Sequence, residues 1–235
     1  MATRQICLPS PNAPTWLWLR EPVLAYDVPT TYRGAGIMTG SHRTTAPKIV
    51  AIGASAGGVD AISRLLGGLP RNLPAAVLVV LRRPLERVSH LPGILSRKTN
   101  LDVRVAEDGD RLESGVCFIG MPDRHLVLEQ DLHVSTWPNS FYRSHNIDML
   151  FESLARHAAR RTIGVILSGL LKDGVLGLKA IKEAGGLALV QDPGEAEYPE
   201  LPENAIRYAG PVDLIDTAAG LAKGIERLIS RHPDA

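Results

Sequence analysis

Cysteine is nearly absent: Cys7 and Cys117 are the only two in 235 residues. They offer neither the paired spacing of a zinc or iron–sulfur site nor a disulfide framework, which excludes a small stapled scaffold. An excess of either charge is also missing. Lys and Arg total 26 against 25 Asp and Glu, a net charge of +1. Such a chain has no global field to draw in nucleic acid or an anionic membrane. No apolar run approaches the about 18 residues of a membrane span, so no membrane insertion is expected. Nor is a secretory leader expected: the longest early apolar stretch, Trp16 to Leu19, is flanked by prolines. These absences predict a cytoplasmic protein with reduced thiols, and no residue pattern calls for a metal or a cofactor.

What is present is an ordinary globular composition, 45% hydrophobic and 22% charged. The length is about one and a half typical domains. Residues 1–47 stand apart. They hold Pro9, Pro11, Pro14, Pro22, Pro29 and Pro47, and proline opposes both helix interiors and central strands. This stretch reads as a flexible Pro-rich extension, with Trp16, Trp18 and Tyr26 as candidate docking side chains. Met38 offers an alternative start. Residues 48–235 then form the main domain.

From Lys48 onward, short apolar runs alternate with helix-like stretches. Ile49 to Ile52, Ala75 to Leu81, Ile163 to Leu167 and Leu187 to Val190 read as buried strands. Shorter strands are expected near Val103, over Val116 to Ile119 and over Val212 to Ile215. A hairpin is expected around Glu129-Gln130-Asp131. Helical spacing marks Val59 to Leu66, a segment including Leu91 to Leu95, Ile147 to Arg160, Leu176 to Ala184 and Thr217 to Ile229. The fold class is therefore α/β: a doubly wound, mostly parallel sheet with helices on both faces and one β-hairpin. Such sheets bind ligands beyond the carboxyl ends of their strands. That puts function in the loops after Ile52, Leu81 and Leu167.

The first loop, Gly53-Ala54-Ser55-Ala56-Gly57-Gly58, fits G-x-S-x-G between a strand and a helix. There a serine is raised on a tight turn, and the N–H groups that follow face a developing oxyanion. The alternative is a turn whose Ser55 only caps the helix. The third loop, Ser168 to Gly174, carries Asp173, either the acid of a Ser-His-Asp set or a helix cap. The second loop, Arg82-Arg83-Pro84, places arginine where a hydrolase wants histidine, or else simply solvated charge.

Taken together these segments resemble the catalytic domain of the chemotaxis protein-glutamate methylesterases, over roughly Lys48 to Ile229. The matching pieces are IVAIGASAGGVDAI, AEDGDRLESGVCFIGMPDRHLVL, IDMLFESLARHA, GVILSGLLKDGVLGL, and GGLALVQDP followed by LPENAI. The resemblance implies hydrolysis of glutamyl methyl esters on chemoreceptors or a related signalling protein. It implies Ser55 as nucleophile, Asp173 as the acid, and the backbone N–H groups of Ala56 and Leu170 as the oxyanion donors. The family's histidine falls on Arg82, which stays protonated and cannot accept the serine proton. His90, His125 and His145 are candidate substitutes, and an Arg82–Asp173 ion pair is a further expectation. The family's Arg-rich stretch before the long helix is only partly kept in Asn139 to Asn146. The extension is too short for the family's receiver domain, so this reads as a stand-alone member. Two other functions stay open. One is a catalytically degenerate module that binds a receptor or partner segment, with Arg82 and Arg83 favouring acidic residues. The other is an NADP-binding Rossmann unit, although Ser55 stands at the second glycine of that fingerprint.

Overall fold

The computed structural model describes residues 47–83, 90–138 and 145–231. The expectations for residues 1–46, including the docking aromatics, and those for residues 139–144 lie outside the described residues.

Seven parallel strands form one sheet. They are β1 (Lys48–Ala54), β2 (Ala75–Leu81), β3 (Asp102–Val105), β4 (Val116–Ile119), β7 (Thr162–Ile166), β8 (Leu187–Gln191) and β9 (Leu214–Asp216). Their order is β3-β4-β2-β1-β7-β8-β9. A separate antiparallel hairpin pairs β5 (Arg124–Leu128) with β6 (Val134–Pro138). The helices are α1 (Gly58–Gly67), α2 (Leu91–Ser96), α3 (Asn146–Ala158), α4 (Val175–Glu183), α5 (Glu200–Tyr208) and α6 (Ala218–Arg231). The doubly wound expectation holds. Among the described residues no helix is long and apolar enough to cross a membrane.

The inner strands of the sheet are buried on both faces, and this is why they read as continuous apolar runs rather than alternating ones, while the edge strands β3 and β9 stay largely exposed. In β1, Val50, Ile52 and Ala54 pack toward α1 and α6, against residues such as Leu65, Leu66, Leu221 and Ile225. Ile49 and Ala51 face the opposite layer, with Leu150 and Phe151 of α3 and Leu178 of α4. Cys117, inside β4, is a free thiol pushed up to about 12 by burial, an unreactive filler of the core.

Helix α5 had no place among the expected elements. Its Pro202 sits in the first turn, where the missing N–H costs nothing, and its buried residues are only Leu201, Pro202 and Ala205. So short an apolar stripe beside a proline carries little periodic signal.

The strand order makes a switch point. From β1 the chain crosses to β2 on one side, and from β7 it crosses to β8 on the other. Since β1 and β7 are neighbours, their following loops part company and leave a crevice at the sheet edge. On the α3–α4 side this crevice rests on close backbone approach. A Cβ on Gly177 would lie 2.4 Å from Phe151 Cβ and 3.0 Å from the Asp148 carbonyl oxygen. Gly177→Ala is therefore expected to lose about 1–2 kcal/mol net of the gain in helix propensity. That corresponds to a melting point lower by about 2–8 °C, at about 2–4 °C per kcal/mol for a chain this long. An unchanged or raised melting temperature in differential scanning calorimetry would show that the helices part freely.

Candidate active site

The loops after β1 and β7 are laced together past the ends of their strands. Leu167 N–H donates to Gly53 O at 3.0 Å, and Ser55 N–H to Ser168 O at 3.0 Å. Ser168 Oγ then donates to Ala56 O at 2.9 Å and accepts from Tyr198 N–H at 3.0 Å. Gln191 Oε1 accepts from the Ser168 N–H at 2.8 Å. Ser168 thus ties three loops, a role its sequence position alone gave no reason to assign.

The glycines of the first loop are required by space. Gly57 has φ of 70°, and a Cβ there would sit 2.6 Å from Ser168 Oγ. A Cβ on Gly58 would meet Leu81 Cδ1 at 2.6 Å and Ala54 Cβ at 2.7 Å. The turn lifts Ser55 to a partly exposed position. Its Oγ has no hydrogen-bond partner among the described residues, and Gly57, not Ser55, stands at the N-cap of α1, which has no side-chain cap. Capping therefore does not explain Ser55. Facing it across the crevice, a Cβ on Gly169 would lie 3.0 Å from Ser55 Cβ. Neither Ala56 N–H nor Leu170 N–H donates to another group of the described residues. Leu170 precedes Leu171, which holds a left-handed φ of 69° and bends the loop there. The expected nucleophile and both expected oxyanion donors thus stand on adjoining loops with their hydrogen-bonding groups unspent among the described residues.

Asp173 is buried and acts on another helix. Its Oδ2 accepts from Ile147 N–H at 3.3 Å and its Oδ1 from Asp148 N–H at 3.1 Å, so it closes the start of α3. It does not cap its own helix, where Gly174 stands before α4 without a side-chain cap. Burial pushes its carboxyl up to about 6. The Asp148 carboxylate adds to the rise, while the two N–H bonds and His145 oppose it. Asp148 in turn accepts from Gly177 N–H at 2.8 Å. His145 Nδ1 lies 3.7 Å from Asp148 Oδ2, and ligand atoms of His145, Asp148 and Asp173 all fall within 4.8 Å of one another. Backbone N–H groups already engage both oxygens of Asp173 and one of Asp148, so helix capping accounts for this cluster without a metal.

Arg82 behaves otherwise. Its N–H donates to Ala54 O at 2.9 Å, extending the β1–β2 ladder. Its side chain lines a groove of about 1030 Å³ together with Ser55, Arg83, His90 and Lys98. The expected Arg82–Asp173 ion pair does not form: Asp173 turns its oxygens to α3, and no ion pair within 4.0 Å joins the two among the described residues. Arg83 is not freely solvated charge. It is half-buried, its Nε and Nη2 are shielded from solvent without a partner, and burial lowers its pKa.

The candidate histidines separate. His90 shares the groove with Ser55. His145 stands beside Asp173. His125 is buried in β5 with neither ring nitrogen bonded, and burial lowers its pKa, with His145 adding to the shift. The two clusters adjoin through Ile147. Its Cγ2 lies 2.3 Å from where a Cβ on Gly53 would be and 2.5 Å from one on Gly174.

Comparison with known proteins adds the following. A family model described as CheB methylesterase matches residues 50–225. A protein-glutamate methylesterase/protein-glutamine glutaminase 1 of Bordetella avium is 37% identical over 197 residues, covering 78% of this chain and 58% of that protein. A putative protein-glutamate methylesterase/protein-glutamine glutaminase of Leptospira interrogans is 34% identical, covering 76% of this chain and 93% of that one. The Escherichia coli K12 protein-glutamate methylesterase/protein-glutamine glutaminase is 31% identical, covering 81% of this chain and 54% of its own length. The chain thus spans little more than half of the Bordetella and Escherichia relatives. The crystal structure of the Thermotoga maritima CheB methylesterase catalytic domain superposes with a TM-score of 0.72 at 29% identity, covering 78% of this chain and 99% of that one.

The raised Asp173 carboxyl predicts a pH dependence of defined sign. The folded state holds this proton more tightly than the unfolded chain, whose Asp titrates near 3.8. The stability this supplies is fully present below about pH 4 and is lost as pH rises through about 6. Relative to Asp173→Asn, the natural protein should lose on the order of 1–3 kcal/mol between those limits. Urea unfolding of both proteins across the range measures this, and a constant difference between them would refute it.

Proposed function

The chain belongs to the CheB methylesterase family, and from that premise we propose that it is a carboxylic ester hydrolase frame for glutamyl methyl esters on chemoreceptors or a related signalling protein. The observation that carries this reading is the unspent hydrogen-bonding capacity at the switch point: a partly exposed Ser55 with a free Oγ beside the unpaired N–H groups of Ala56 and Leu170. In this scheme Ser55 Oγ attacks the ester carbonyl carbon. The oxyanion is held by those two N–H groups, and methanol leaves as the acyl-serine forms. Water then cleaves the acyl-serine, releasing the glutamate carboxylate and restoring Ser55. A free buried thiol at Cys117 accords with a cytoplasmic place of action.

Proton transfer is where the frame is deficient. Arg82 occupies the strand end from which the family's histidine serves, and a guanidinium cannot take up the serine proton. Turnover should therefore be low, carried by orientation and oxyanion contacts. Residual base catalysis falls to His90 in the groove or to His145 beside Asp173.

Methanol release from methylated receptor fragments tests this. Arg82→His is expected to raise turnover by about 10²–10⁴-fold, and Ser55→Ala to abolish that gain. If neither the natural protein nor Arg82→His releases methanol, and a serine-directed phosphonate labels neither at Ser55, the hydrolase reading is wrong.

A further inference from the structure

The groove beside Ser55 carries cations that the fold leaves unmatched. Of its ionisable lining, Arg64 is bound to Asp60 at 2.7 Å and reaches Glu195 at 3.3 Å. Among the described residues that leaves Arg82, Arg83, Lys98 and the titratable His90 against Glu197. Neither Arg82 nor Lys98 makes a side-chain hydrogen bond or ion pair among the described residues. Arg83 is the most telling: its Nε and Nη2 are shielded from water and have no acceptor among the described residues. A buried guanidinium nitrogen without a partner is costly, so a fold that keeps one gains from a ligand that supplies the acceptor. The planar donor fork of Arg suits a carboxylate, and several cations lining one groove suit a segment with more than one. Leu91 and Ile94 of α2 supply an apolar floor for the segment's aliphatic stems.

We infer that this groove is a docking site for an acidic peptide segment, whose side-chain carboxylates seat on Arg83 and Lys98 while a neighbouring residue of the same segment reaches Ser55. Only the last part rests on the hydrolase reading. The site selects substrate by the glutamates and aspartates that flank the modified residue. Nucleic acid fits the groove less well, because Glu197 faces it and the net charge of the chain is only +1.

Fluorescence anisotropy with the full chain carrying Ser55→Ala, which removes turnover from the measurement, tests the inference. The probes are a labelled glutamate-rich helical peptide and its glutamine-substituted twin. The glutamate peptide should bind at least about 10-fold more tightly, and its affinity should fall steeply as salt rises. Arg83→Gln and Lys98→Glu should each weaken it about 5-fold or more while leaving the glutamine peptide unaffected. Lys98 is exposed, so Lys98→Glu remains decisive if Arg83→Gln fails to fold. Equal affinity for the two peptides would overturn the inference. So would indifference to Lys98→Glu, or a single-stranded oligonucleotide that competes as well as the glutamate peptide itself. Because binding is read without turnover, a protein that releases no methanol yet prefers the glutamate peptide separates failure of the hydrolase reading from failure of this one.

Discussion

The site depends on the seam between β1 and β7. Where two neighbouring parallel strands send their crossovers in opposite directions, the sheet must open at their carboxyl ends. Here the opening is held to a fixed width. The ladder runs one step past each strand, through Leu167 N–H to Gly53 O and Ser55 N–H to Ser168 O. Ser168 Oγ then clamps the Ser55 turn through Ala56 O and the loop before α5 through Tyr198 N–H. No side chain larger than hydrogen fits at Gly57 beside that hydroxyl. Ser55 and the Leu170 loop are therefore positioned by backbone geometry, independent of the residue at the end of β2. A frame set this way is indifferent to the side chain at that position, since among the described residues nothing in the seam leans on Arg82 beyond its own N–H.

Asp173 illustrates how one carboxylate serves the fold and the site together. Its two oxygens satisfy N–H groups that α3 would otherwise leave unpaired at its first turn. The cost is a charge held out of water close to the Asp148 carboxylate. His145, partly exposed at the edge of this pair, supplies the partial offset. Such an arrangement holds Asp173 in place whatever residue ends β2, because losing the aspartate would also uncap a helix that covers a face of the sheet.

Much of this was legible in the sequence, and the limits were physical. AAVLVVL could only be a strand buried on both faces, and it forms β2 without shift. GASAGG announced a tight strand-to-helix turn because glycine at those spacings permits close approach. Asp173 was legible as a candidate acid or cap, but not as the cap of α3. That partner lies 25 residues earlier in the chain, and local capping patterns concern the helix that follows. Ser168 looked like any serine after a strand, since its partners come from two other loops. Arg83 read as solvated charge because charge after a strand usually is. It lines the groove with Ser55 and Glu197, neighbours that no window around residue 83 contains.

The two arginines at the end of β2 then have different physical consequences. Arg82 puts at the end of β2 a group that cannot cycle a proton, so on the hydrolase reading the frame keeps its orientation and its oxyanion donors and depends on another base, such as His90 or His145. For Arg83 the proposed consequence is one of affinity: a half-buried guanidinium with no acceptor among the described residues makes the neighbouring groove favour carboxylates over neutral esters or amides. Both effects point the same way for a glutamyl substrate, since the carboxylate is the product of ester hydrolysis. A site that slows the chemistry while strengthening its hold on acidic side chains spends more of its time occupied than turning over. Occupancy rather than rate then becomes the quantity on which a signalling role of this fold would act.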